Sequence, residues 1–141
     1  MTSACGVLCS DCAAYRGREK GAAYRRRAAA AWRRIWGRRD APELMTCGGC
    51  LGPDAELFHT SVRCRARRCC LAKGFGSCAE CPVDACPDLE RAQSVWDGVP
   101  AVAVTLSSGD RALYATPYCG HRERLTEERA RLRGRYTGTG R

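Results

Sequence analysis

The chain has 141 residues, the length of one ordinary domain or of a smaller domain with a tail. Hydrophobic residues make up 45% of it, but much of that share is alanine and cysteine, so large core formers are scarce. The net charge is +9, and no apolar run approaches the roughly 20 residues that a helix needs to span a bilayer.

Phe58 and Phe75 are the only phenylalanines, and Trp32, Trp36 and Trp96 the only tryptophans. Small domains with thin cores need disulfides, a metal or a partner, and twelve cysteines are the obvious compensation here. The compartment decides between disulfide and metal. The start, Met1-Thr-Ser-Ala-Cys5, has no basic region followed by a long apolar stretch, so it does not read as a signal peptide. A bacterial or archaeal cytoplasm is the expected setting. There thiols stay reduced, and clustered cysteines more often hold metal. The basic excess is not diagnostic of nucleic acid. Lys20 and Lys73 are the only lysines among 24 basic residues, a bias that a GC-rich genome produces. Four thiolates on a divalent ion also carry a net charge of about −2, so two such sites would lower the total to about +5.

In chain order, the first cysteine group is Cys5, Cys9 and Cys12. A cysteine-free helix is predicted next, from about Glu19 to Gly37, because Tyr24, Ala28, Ala31, Trp32 and Ile35 recur at helical spacing. Arg26 and Arg33 fall on the opposite face, and Gly37 and Pro42 stop the helix. This reads as an amphipathic helix packing its Trp32 edge on the core. The alternative is an arginine helix lying on nucleic acid. After Cys47 and Cys50, a second short helix spans Arg65 to Lys73, closed by Gly74 at the position where glycine accepts a left-handed conformation. A third starts at Pro87, with Asp88 and Glu90 in its first turn and Leu89, Ala92 and Trp96 on one apolar edge.

After Gly98 the composition changes. Val99 to Leu106 and Arg111 to Thr116 read as two short strands of a hairpin joined at residues 107–110. Arg122 to Arg135 is charged and weakly helical, and Thr137 to Arg141 reads as disordered. The expected organisation is therefore a small, mainly α, cysteine-rich and metal-stabilised domain with irregular metal-binding loops over residues 1–97. A variable, partly disordered extension with a short β-hairpin follows over 98–141.

The cysteines carry the chemistry. In Cys9-x2-Cys12 and Cys47-x2-Cys50 a tight turn points both sulfurs at one ion, and amides within the turn can donate to the thiolates. Gly48 and Gly49 permit that turn without steric cost. Two such knuckles brought together make a tetrahedral four-sulfur site. A second site is expected from four of Cys64, Cys69, Cys78, Cys81 and Cys86. Cys64 and Cys69 are about 140° apart around a helix, so Cys64 should precede the second helix while Cys69 projects from it. Cys86 sits at the N-cap of the third helix, where the dipole favours a thiolate. Cys70 reads as a buried small apolar residue, and Cys119 beside His121 as incidental. His59 is a substitute ligand only if it replaces a sulfur.

With CGVLCSDCAAY at 5–15, CGGC at 47–50 and CRARRCCLAKGFGSCAECPVDACPDL at 64–89, the chain resembles the domain-of-unknown-function family numbered 3795, small cysteine-rich prokaryotic proteins. The resemblance runs from residue 4 to near Trp96. The chain departs from the family afterwards, where the family generally continues in helix. Membership implies a metal-binding protein with no established activity, whose matching cysteines are Cys5, Cys9, Cys12, Cys47, Cys50, Cys64, Cys69, Cys78, Cys81 and Cys86.

The leading expectation is thus a zinc-binding module, each structural site contributing about 10–16 kcal/mol of apparent binding energy, with a protein partner docking on the basic helices. The alternative is an iron–sulfur protein in electron transfer or redox sensing. Cys5-x3-Cys9-x2-Cys12 has the spacing by which radical S-adenosylmethionine enzymes hold a four-iron (4Fe-4S) cluster, although the barrel of those enzymes needs a longer chain. Enzymatic thiol chemistry is not expected. Only His59 and His121 could serve as a base, and no phosphate loop, nucleophile elbow or dinucleotide fingerprint occurs.

Overall fold

The computed structural model describes residues 1–137, with backbone alone for Tyr136 and Thr137; residues 138–141 of the segment read as disordered lie outside the described residues. There are six α-helical segments among the described residues, with short 3-10 turns in several of the connections. Among the described residues there is no strand, only an isolated bridge between Thr2 and Leu8.

Helix α1 (Ala13–Trp36) begins a turn and a half before its predicted start and breaks at Gly21, whose φ of 82° is open to glycine. Its predicted stripe is the one buried: Ala28, Ala31, Trp32 and Ile35 face the core. Gly37 ends it in the left-handed conformation, its amide bonding to the Arg33 carbonyl. The arm before the kink buries Ala13, Ala14 and Gly17. Gly17 lies so close to the next segment that a Cβ there would stand 2.0 Å from the Met45 carbonyl oxygen. That contact sets the Cys47 loop beside the start of α1. Gly17→Ala is expected to cost about 2 kcal/mol, because backbone on both sides must part. Denaturant unfolding at constant m-value measures it.

Helix α2 (Arg65–Lys73) ends at Gly74 as predicted, with φ 68°. Helix α3 (Pro87–Ser94) starts with Cys86 at its N-cap. The expected hairpin is replaced by α4 (Val99–Ala103) and α5 (Ser108–Tyr114). Two physical reasons overturn the strands. Val99, Ala103 and Leu106 are the buried residues of that run, a spacing of four and three that belongs to a helix rather than an alternating strand. Ser107, read as part of a turn, is instead the N-cap of α5, its side chain accepting from the Asp110 amide at 3.1 Å. Pro100 lies in the first turn of α4, where its missing N–H costs nothing.

Helix α6 (His121–Thr137) closes the fold. The segment after Gly98 shares the core with α1: Val99, Tyr114 and Tyr118 are completely buried. An aromatic cluster joins the two parts. Trp32 meets Trp36, Phe58 and Tyr118 edge to face, and Tyr118 stacks on Trp96 with centroids 5.0 Å apart. On the surface, Arg122 of α6 forms paired bonds to Glu90 and Asp97, each at 2.8 Å. Its guanidinium holds both carboxyls below their ordinary values. A depressed carboxylate contributes stability above its unfolded pKa and loses it as pH falls through the folded one. The difference in melting temperature between wild type and Arg122→Ala should therefore be present at about pH 6 and vanish near pH 2.

Candidate metal centre

The N-terminal cysteines lie on a loop that long-range bonds hold in shape. The Ala4 carbonyl accepts from the Cys78 amide at 2.9 Å, and the Cys5 carbonyl from the Gln93 side chain at 3.1 Å. The Gly6 carbonyl accepts from Arg124 at 2.9 Å. Gly6 has φ 102°, and a Cβ there would stand 2.1 Å from the His121 carbonyl oxygen, so the loop rests directly on the start of α6. A 3-10 turn over Cys9–Asp11 then brings Cys12 to the N-cap of α1. In the second knuckle Gly49, at φ 97°, donates its amide to the Cys47 sulfur at 3.4 Å, the amide-to-sulfur bond expected of such a turn.

These loops surround one cavity of about 710 Å³, and its wall contains Cys5, Cys9, Cys12, Cys47, Cys50 and Cys64. The expected pairing of Cys9/Cys12 with Cys47/Cys50 falls on this single space. Cys64, assigned by sequence to the second site, joins it as well. Burial pushes the Cys5, Cys12 and Cys64 thiols up, since an isolated thiolate there would be poorly solvated. Cys9 and Cys50 act on one another's titration. Within that pair Cys9 keeps the proton and Cys50 is brought down to about 7 by the Cys9 thiol, with the Arg67 guanidinium assisting. Among the described residues, no three Cys, His, Asp or Glu side chains meet closely enough to enclose a metal ion as they stand. The thiols ring a space instead of converging on a point.

Two observations bear on whether these residues would suit a thiolate-bound metal. Six cysteine sulfurs face the space, beside the carboxylate of Asp88, in a setting where a positive ion would compensate the charge that burial now disfavours. Trp32, also in the cavity wall, has its indole N–H buried without a partner, a donor that anionic sulfur would satisfy. Basic residues supply further compensation: Arg38, Arg63, Arg65, Arg67 and Arg91 all border the cavity.

The remaining cysteines lie outside this wall. Cys70, set aside on sequence, has its sulfur 3.6 Å from that of Cys78, both buried. Cys69 and Cys81 lie close enough for their charge to act on Cys70. Cys86 lines a separate cleft between α3 and α6, with Arg122, Arg129 and Arg133. Cys119 bonds to the Ala115 carbonyl at 3.5 Å, away from the cavity. His121 spends both ring nitrogens on the Tyr118 and Gln93 carbonyls, and exposed His59 pairs with Asp40 at 2.9 Å.

Sequence reasoning missed two residues of the wall. Arg67 is buried, donating to the Cys50 and Gly52 carbonyls at 2.6 and 2.7 Å and pairing with Asp54. Tyr118 donates its hydroxyl to the Cys12 sulfur at 3.2 Å, and burial holds that phenol well above its ordinary value. A small run of arginines and a Thr-Pro-Tyr turn carry no local signal for either role.

Fold and site together define a small, mainly helical, cysteine-rich protein with six of its twelve thiols around one cavity. Residues 1–91 match the family described as Protein of unknown function (DUF3795), and the chain belongs to that family. No curated protein and no solved structure matches it. No helix among the described residues is long and apolar enough to cross a membrane.

Proposed function

We propose that this chain is a metal-binding protein in which zinc, held by thiolates of the N-terminal cavity, fixes the loops around α1. The observation that carries the reading is the gathering of Cys5, Cys9, Cys12, Cys47, Cys50 and Cys64 on one cavity from three separate stretches of chain. Cys9, Cys12, Cys47 and Cys50 are the ligand set of choice, as two knuckles whose turns already sit on that cavity. Bound zinc would supply charge compensation and a cross-link between loops; the chain's own part is to present sulfur, donate amides to it and exclude water. The role is then that of a binding module, its partner meeting the basic surface.

A second reading, an iron–sulfur cluster on the same cysteines, is favoured by one observation. A single ion wants four sulfurs within about 2.3 Å of it, whereas here the thiols line about 710 Å³ without three of them meeting. A cluster carries its own bulk into such a space. Anaerobic purification under reducing conditions separates the two. The zinc reading expects a colourless protein with stoichiometric zinc by elemental analysis. The cluster reading expects a brown protein with iron, sulfide and a broad visible band. A protein with neither metal sinks both.

A further inference from the structure

We propose that Tyr118 is a positioning residue for this centre, its hydroxyl donating to the Cys12 sulfur and orienting it as a ligand from a part of the chain outside the family match. The inference rests on the metal-binding reading and adds to it a group 106 residues away along the chain.

The geometry leaves the hydroxyl little choice. Its oxygen accepts the Ala13 amide at 3.1 Å, and Cys12 Sγ stands 3.2 Å away. A metal-bound thiolate can only accept, so the hydroxyl hydrogen points to sulfur. The ring cannot swing aside. Tyr118 is completely buried, stacked on Trp96 with an interplanar angle of 8° and met edge-on by Trp32 and Trp36. Its backbone is tied on either side: the Pro117 carbonyl accepts from the Leu8 amide and from Arg124, and the Tyr118 carbonyl faces His121. The same short segment therefore braces the Cys5–Cys9 loop and supplies a donor to Cys12. A group that hydrogen-bonds a metal ligand fixes its orientation and tunes its basicity, and loss of such a group weakens binding by about 10–100-fold.

The test is Tyr118→Phe, which keeps the ring and removes the hydroxyl. Zinc affinity, read by competition with a chromophoric chelator, should fall by about 10–100-fold. With cobalt(II) in place of zinc, the sulfur-to-metal charge-transfer band should move to longer wavelength, since losing the hydrogen bond raises the sulfur donor level. Packing alone would not move that band. Unchanged affinity together with an unchanged band overturns the proposal. Wild-type protein that takes up neither zinc nor cobalt overturns the metal-binding reading instead. Should Tyr118→Phe fail to fold, wild-type protein loaded with cadmium-113 decides: a slowly exchanging Tyr118 hydroxyl proton coupled to the metal through sulfur supports the bond, and a fast-exchanging, uncoupled one overturns it.

Discussion

Stripping metal from the reduced protein with a strong chelator should lower its melting temperature by about 12 °C. Any ligand that binds only the folded state stabilises it by mass action, by about 4 kcal/mol when present at a thousandfold excess over Kd. For a chain of this size each kcal/mol is worth about 3 °C. The local physics explains why the metal-free state is poor. Six thiols border a cavity of about 710 Å³, and burial holds Cys5, Cys12 and Cys64 in their neutral forms. Cys9 lies in a short 3-10 turn, and Cys47 and Cys50 lie in a loop between two more, at Pro42–Leu44 and Asp54–Glu56. Helix α1 brings Ala13, Ala14, Ala28 and Ala31 to the core, which pack closely but bury little area each. Differential scanning fluorimetry with and without chelator measures the effect, and zinc added back should restore it. A melting temperature indifferent to chelator would remove the metal from any structural role.

Replacing Arg67 by lysine should destabilise the protein by about 3 kcal/mol, the loss expected when buried carbonyls are left without donors at about 1–3 kcal/mol each. Its side chain is only 2% exposed, and its guanidinium answers three acceptors at once: the Cys50 carbonyl, the Gly52 carbonyl and Asp54, all within 2.7 Å. The planar fork is what allows this; a lysine ammonium is a point donor on a different stem. A desolvated cation placed off its partners adds to the loss. Exposed Asp54 can return to water, so the loss comes mainly from the loop carbonyls. Because those carbonyls belong to Cys50 and its neighbour Gly52, the same variant should weaken metal binding, whereas Arg63→Lys on the exposed rim should change stability by less than about 0.5 kcal/mol. Urea unfolding of both variants at constant m-value makes the comparison. An Arg67→Lys variant within about 1 kcal/mol of wild type would show that the fork is not what holds the loop.

Much of the helical framework was legible because it rests on local signals. The stripe from Ala28 to Ile35, the Gly37 and Gly74 stops and the Pro87 start each act within one or two turns of chain. The run from Val99 to Leu106 was misread because Val-Ala-Val mimics strand alternation. What decides it is packing at Val99, Ala103 and Leu106 on the rest of the fold, which no short window of sequence contains. Knuckle spacing led to the expectation that Cys9, Cys12, Cys47 and Cys50 act together, and all four line the same cavity. The placement of Cys64 on the same cavity was not legible, since it depends on how α2 is set against the loops by buried Arg67. Cys70 faces Cys78 through helix rotation that residue spacing leaves open. Tyr118 reaches Cys12 only by folding back across almost the whole chain, and a lone tyrosine after proline looks like any exposed turn until its burial is known.

The central claim is that sulfur from this cavity ligates a metal. X-ray absorption at the metal edge of protein purified anaerobically under reducing conditions tests it most directly. The account predicts a first shell of sulfur alone, at about 2.3 Å for zinc, that persists in Cys119→Ser and collapses when Cys47 and Cys50 are replaced by serine. A first shell of nitrogen and oxygen, or one untouched by the loss of Cys47 and Cys50, would contradict it.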